Sequence, residues 1–217
     1  SGQTVLITAG PTREKIDPVR FLTNHSTGKM GYAIAGEAVK MGARVILVSG
    51  PVNLDPPAGT ELIKVESAEE MYQAALAHFD EADVMIGTAA VADYRPKYIY
   101  EEKMKKKEGD QALELERTKD ILFELGQRKT GQVIVGFAAE TNDVEIHAKG
   151  KLARKNADMI VANNVKQEGA GFGADTNIVT IYKKDGTSVE LPLMSKSDVA
   201  RKILAEVIHC FKKDESL

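Results

Sequence analysis

The sequence predicts an α/β fold: a mostly parallel sheet with helices on both faces, followed by a C-terminal β-hairpin and helix. Three observations carry this. Short apolar, β-rich runs recur at residues 5–8, 44–49, 62–65, 84–87, 132–138 and 159–162, and strands apolar throughout are those buried on two faces. Between most of them lie segments whose apolar residues recur at helical spacing, the alternation that builds parallel sheets. Beyond residue 176 the pattern changes to two alternating runs around Asp185-Gly186, a hairpin signal.

The elements follow in order. The first strand, 5–8, stops at Ala9-Gly10-Pro11, a turn signal. Residues 31–41 form a helix in which Tyr32, Ile34, Ala35, Ala38 and Val39 share a face, with Gly42 ending it. The second strand, 44–49 (RVILVS), closes at Gly50-Pro51, and 56–59 are loop. A strand at 62–65 precedes a helix capped by Ser67, with Glu70 at the capping-box position, running to about Phe79. The strand 84–87 leads into a small-residue loop, 88–96. Residues 97–110 are charged and aperiodic and predict a mobile lid. Helix 121–128, strand 132–138, helix 144–156 and strand 159–162 follow, then a loop over 164–176, a hairpin at about 177–191 and an amphipathic helix over 197–212.

The 217 residues (23.6 kDa) suit a single domain spanning 1–217. The net charge of −3 gives no basic field for nucleic acid or an anionic membrane, and no run approaches the ~20 apolar residues of a membrane span. The lone cysteine, Cys210, forms no internal disulfide, fits a reducing, cytoplasmic setting and reads as packing between Ile208 and Phe211. The strand that begins almost at once after Ser1-Gly2 suggests a domain taken from a longer protein.

In such folds ligands sit beyond the carboxyl ends of the strands, which directs attention to the loops there. Residues 10–31 join the first strand to the first helix. A dinucleotide fingerprint needs G-x-G-x-x-G close to the strand, but seventeen residues separate Gly10 from Gly28, and the second strand ends at Ser49-Gly50 without an acidic residue for a ribose. A P-loop ending at Gly28-Lys29 would need Gly where Thr23 stands and Ser or Thr where Met30 stands. What remains is Ser26-Thr27-Gly28-Lys29 opening a helix: either an anion site or a plain N-cap. Asp17, Arg20 and Asn24 in the long insertion favour a site. After the fourth strand, Asp93 in AAVADYRP could accept a hydrogen bond from a ligand or simply cap a turn. The run from Lys103 to Lys107 is either a solvated face or a lid bringing a lysine to a polyphosphate. Lys151 and Lys155 share a helix face, exposed to solvent or paired on a triphosphate. The histidines (25, 78, 147 and 209) lack metal-ligand spacing, so no protein metal site is expected.

Together these stretches resemble the phosphopantothenate–cysteine ligase (phosphopantothenoylcysteine synthetase) family of coenzyme A biosynthesis, in its bacterial CTP-dependent form. The resemblance covers nearly the whole chain and is carried by ITAGPTREKIDPVRFLTNHSTGKMG, AAVADYRP, EKMKK, VGFAAET and KLARKNADMIVAN, in order and in register. It implies a Rossmann-like fold, a homodimer and fusion in the natural chain to a flavin-dependent decarboxylase. It also implies a two-step reaction. The carboxylate of 4′-phosphopantothenate attacks the α-phosphate of CTP, giving an acyl-cytidylate and pyrophosphate; the amine of L-cysteine then displaces CMP. Mg²⁺ would bridge the triphosphate oxygens.

By the same resemblance Asn24 and Lys103 are catalytic, Lys103 acting from the lid on the reacting groups and Asn24 positioning the acyl-cytidylate. CTP falls to Gly87, Thr88, Ala89, Asp93, Lys103, Lys119, Asp120, Ile121, Leu122, Phe137, Lys151 and Lys155, and phosphopantothenate to Asn24, Ser26, Gly28, Lys29 and Ala90. Phe137 is equally readable as a core strand residue. The chain departs from the family at Thr118-Lys119, where Asn-Pro is common; Lys in place of Pro frees φ and restores an N–H. The competing classes are a short-chain-type oxidoreductase, opposed by the failed fingerprint, and a non-catalytic nucleotide-binding regulator.

Overall fold

The structure, a computed structural model, describes residues 2–214, with side chains as far as residue 211; Ser1 lies outside them. Six parallel strands make the centre of an eight-stranded sheet: β1 (Thr4–Ala9), β4 (Arg44–Ser49), β5 (Thr60–Lys64), β6 (Val84–Gly87), β9 (Val133–Glu140) and β10 (Met159–Asn164). Two antiparallel strands, β11 (Thr176–Lys183) and β12 (Ser188–Ser195), extend one edge. In space the order is β12-β11-β10-β9-β6-β1-β4-β5. Counting only the parallel strands along the chain, this is the 3-2-1-4-5-6 arrangement of the Rossmann fold.

The period-two alternation of side chains explains why the central strands are apolar throughout. Val5 and Ile7 of β1 and Val45 and Leu47 of β4 point into a core with α1 (Lys29–Lys40) and α5 (Lys196–Asp214). Leu6, Ile46 and Val48 point the other way, into a core with α2 (Ala68–Phe79), α3 (Ile121–Arg128) and α4 (Val144–Arg154). Helices therefore cover both faces, as expected. Ser67 caps α2, accepting from the Glu70 amide at 3.1 Å, while the Glu70 carboxylate accepts from the amide of Glu66, one residue before the cap, at 3.3 Å rather than from that of Ser67. Cys210 packs partly buried against the α1/α5 core.

Two segments expected as loops carry strands. The 10–31 insertion contains an antiparallel ribbon, β2 (Arg13–Lys15) with β3 (Phe21–Thr23). The 88–96 segment ends in β7 (Tyr94–Pro96), which pairs with β8 (Leu115–Arg117). The charged 97–110 stretch is thus part of the tip of a second ribbon. The main-sheet hairpin also runs longer than 177–191, because β12 continues to Ser195 and pairs there with Thr176.

Candidate active site

The chain leaves β1 toward β4 on one side and leaves β6 toward β9 on the other. The connections diverge there and open a crevice at the carboxyl ends. It holds a cleft of about 780 Å³ lined by Ser26 to Gly31, Gly87 to Val91, Asp93 and Arg117 to Leu122, with Phe137, Lys151, Arg154 and Lys155 among the other walls. Every residue assigned above to CTP or phosphopantothenate by resemblance lines this cleft except two, Asn24 and Lys103. Phe137 packs against the core and also faces the cleft.

Helix α1 enters the cleft by its N-terminus. Gly28 occupies the N-cap with φ 80°, and no side chain caps the helix. Ser26 and Thr27 are not the N-cap: the Thr27 hydroxyl donates to the Phe172 carbonyl at 2.8 Å and accepts from the Lys29 amide only at 3.5 Å. Amides and dipole are left facing the cleft, an arrangement that favours phosphate or carboxylate. Gly31 makes the approach possible, since a Cβ there would lie 2.4 Å from Thr88 Oγ1 and 2.5 Å from the Ala9 Cβ.

Beyond the strand ends, β1 and β6 stay joined. Ala90 N donates to Gly10 O at 3.0 Å, Thr12 N to Ala90 O at 3.3 Å, and Ala92 N to Thr12 Oγ1 at 3.0 Å. Asn24 lies at the root of the first ribbon and its Nδ2 also donates to Ala90 O, at 3.0 Å. It is therefore exposed at the rim, one hydrogen bond from a lining residue.

Cations dominate one part of the wall, but most are already paired. Lys151 meets Glu140 at 2.9 Å, and Lys155 meets Asp120 at 3.4 Å. Lys119 bonds Glu69 at 3.1 Å and stands 4.5 Å from the centroid of the Tyr72 ring. That anchorage on α2 gives the lysine at the family's usual proline position a packing role. Lys29 donates to Gly173 O and pairs with Asp175, each at 2.9 Å. Asp120 also caps α3 through the Phe123 amide at 3.1 Å.

Lys103 is exposed and outside the cleft lining, but its neighbour is held firmly. The buried Asp17 carboxylate accepts from the amides of Val19 and Arg20 at 2.8 Å each, from the Arg20 guanidinium at 2.6 Å, and from Met104 N at 3.1 Å. Arg20 also donates to Met104 O at 2.9 Å. These donors, the Arg20 guanidinium foremost, hold the Asp17 carboxyl well below the usual carboxylate range. Asp17 and Arg20 thus act as a clasp that ties the lid's backbone to the tip of the β2–β3 ribbon.

Sequence reasoning missed Arg117, Arg154, Lys196 and the glycine-rich loop 169–175. Lys196, at the start of α5, is buried and donates to the carbonyls of Phe172 (3.1 Å) and Gly171 (3.5 Å). Burial, reinforced by the charge of Lys29, lowers its pKa. With Thr27 and Lys29 it straps the loop across one end of the cleft. The alternating glycines of GAGFGAD were the available signal. Among the described residues no group of three or more His, Cys, Asp or Glu is placed to hold a metal, and no helix is long and apolar enough to cross a membrane.

A doubly wound sheet, an uncapped helix N-terminus and a basic wall at the topological switch point define a Rossmann-like domain suited to phosphorylated ligands. Its β1–α1 connection is not that of a dinucleotide dehydrogenase. At the end of β4, where such enzymes present an acidic residue, the Ser49 hydroxyl is bound to Tyr32 at 2.8 Å. Residues 1–211 match the family described as the DNA/pantothenate metabolism flavoprotein C-terminal domain, and the chain belongs to that family. It is 62% identical over 207 residues to the coenzyme A biosynthesis bifunctional protein CoaBC of Bacillus subtilis (strain 168), covering 95% of this chain and 51% of that protein. It is 44% identical over 208 residues to CoaBC of Escherichia coli (strain K12), covering 94% and 51%. The chain therefore spans about half the length of these curated relatives. A crystal structure of the C-terminal domain of CoaBC superimposes with a TM-score of 0.86 at 52% identity, covering 98% of this chain and 97% of the other.

Proposed function

We propose that this chain is a phosphopantothenate–cysteine ligase domain. It joins 4′-phosphopantothenate to L-cysteine through an acyl-cytidylate, uses CTP, and releases CMP and pyrophosphate, in the cytoplasm. The observation that carries the proposal is convergence. Residues from separate stretches of sequence, assigned to two substrates by resemblance, line a single cleft at the switch point. The relatives' names place them in coenzyme A biosynthesis, and their greater length fits fusion to a decarboxylase.

CTP lies with its phosphates toward the α4 lysines, Lys151 and Lys155, and phosphopantothenate lies on the side of the α1 N-terminus, where Ser26, Gly28 and Lys29 line the cleft. The phosphopantothenate carboxylate attacks the α-phosphorus, the bond to the β-phosphate breaks, and pyrophosphate leaves. Cysteine's amine then attacks the acyl carbonyl, loses a proton, and expels CMP. Neither step needs a protein nucleophile; both need neutralised charge and aligned substrates. Mg²⁺, if bound with the nucleotide, would draw charge from the phosphates; Asp93 on the cleft wall offers hard carboxylate oxygens of the kind it takes, as does Asp120, whose Oδ1 already faces Phe123 N and Lys155. Pyrophosphate release that requires phosphopantothenate, and is faster with CTP than with ATP, tests this reading. No release with either nucleotide refutes it.

Asn24 tests the division between the steps. Aspartate there would set a carboxylate oxygen against the Ala90 carbonyl that Asn24 now donates to. Asn24→Asp is expected to slow amide formation roughly tenfold more than pyrophosphate release, leaving acyl-cytidylate visible by mass spectrometry. Equal slowing of both steps would remove Asn24 from the second. Homodimerisation belongs to the same reading. Phe21, Tyr98, Ile99, Tyr100 and Leu115 expose apolar surface on the two ribbons, a surface suited to contact between copies. Light scattering should return twice the 23.6-kDa chain mass; the monomer mass would refute it.

A further inference from the structure

Lys151 and Lys155, the cations that resemblance assigns to the triphosphate, both face carboxylates in the structure. Arg117 and Arg154 differ. Both line the same cleft, yet their side chains make no hydrogen bond, ion pair or ring contact with any described residue. Arg117 ends β8 and Arg154 ends α4. The Lys155–Asp120 pair joins the segments that follow them, so the two guanidinium groups approach the cleft from adjoining elements. Guanidinium stays charged at any accessible pH and presents a planar fork that fits phosphate oxygens. Two unneutralised forks on the wall of a cleft that also receives the α1 N-terminus therefore form the strongest uncompensated positive charge in the site.

We propose that Arg117 and Arg154 bind the β- and γ-phosphates of the nucleotide, the part that departs as pyrophosphate. This rests on the nucleotide-cleft reading above and adds two phosphate-binding residues to it. Lys151 and Lys155 share their charge with Glu140 and Asp120 on the same wall, while the arginines add unshared charge at the leaving group.

The test is calorimetric titration of the whole chain with Mg²⁺–CTP, with CMP and with inorganic pyrophosphate. Arg117→Gln and Arg154→Gln should each raise Kd for CTP and pyrophosphate by roughly tenfold, and leave Kd for CMP within about twofold. Lysine at either position should recover part of the loss. Unchanged CTP affinity in both variants would overturn the proposal. So would equal weakening of CTP and CMP, which would put the arginines on the base or ribose or mark a general distortion of the cleft. An unsubstituted chain that binds neither CTP nor ATP would overturn the nucleotide reading itself and this proposal with it. Both arginines are exposed, so a thermal melt within a few degrees of the parent's separates lost contacts from lost fold.

Discussion

Lys103→Gln is expected to lower the rate of pyrophosphate release by roughly a hundredfold or more, with much less effect on CTP affinity. The reason is where charge accumulates. As the carboxylate attacks, negative charge builds on the α-phosphate and the departing pyrophosphate, and a cation delivered there stabilises the transition state more than the bound substrate. Glutamine keeps reach and hydrogen-bonding capacity but not the charge. Lys103 is suited to arrive late. It is exposed and outside the cleft lining, while the next residue, Met104, is clasped at both its N–H and its carbonyl by Asp17 and Arg20. The backbone is thus tethered and the four-carbon side chain is left to move. Single-turnover quench of CTP consumption checks this; a rate within about threefold of the parent's would take Lys103 out of the chemistry.

Gly126→Ala should damage fold and site together. Gly126 lies on α3 where the C-terminal end of α4 crosses it, and a Cβ would stand 2.0 Å from the Lys155 carbonyl oxygen and 2.9 Å from its carbon. Both neighbours are backbone and cannot rotate away. The contact is also bonded, since Asn156 Nδ2 donates to Gly126 O at 3.1 Å. The helices must separate, which costs about 1–3 kcal/mol and should lower Tm by roughly 2–12 °C. The same movement carries Lys155 away from Asp120 and shifts Arg154 beside it, so CTP affinity should fall with stability. A melt and a CTP titration on one sample decide it. Unchanged Tm would show that the helices yield more easily than the geometry implies. Gly131→Ala is the control, because a Cβ there meets nothing within 4 Å.

The central strands were legible because burial on two faces leaves little choice but apolar residues, as VLIT and RVILVS show. The ribbons were not. β2 (REK) and β8 (LER) are three-residue strands of mostly charged residues. Their pairing is set by tertiary neighbours, which local propensity does not report. The start of α1 was placed two residues late for a related reason: its cap is a left-handed glycine, Gly28, with no side-chain cap to announce it.

For the site, the motifs carried most of the information, and the fold gathers their residues into one cleft. What stayed hidden depended on distance along the chain. Asp17 meets the Met104 amide across 87 positions, and Thr27 meets Phe172 across 145; no local pattern encodes either contact. Arg117 and Arg154 drew no attention because a sequence does not show which charges lack a partner. Lys29-Gly28 seemed the conspicuous anion site, yet Lys29 is committed to Gly173 and Asp175.

The most direct test of the ligase assignment is to incubate the chain with 4′-phosphopantothenate, L-cysteine, Mg²⁺ and CTP and to follow CMP and the coupled product together by mass spectrometry. A ligase domain yields phosphopantothenoylcysteine and CMP in equal amounts, with acyl-cytidylate accumulating when cysteine is withheld. Dependence on a nicotinamide cofactor, or CTP binding without either product, would contradict it.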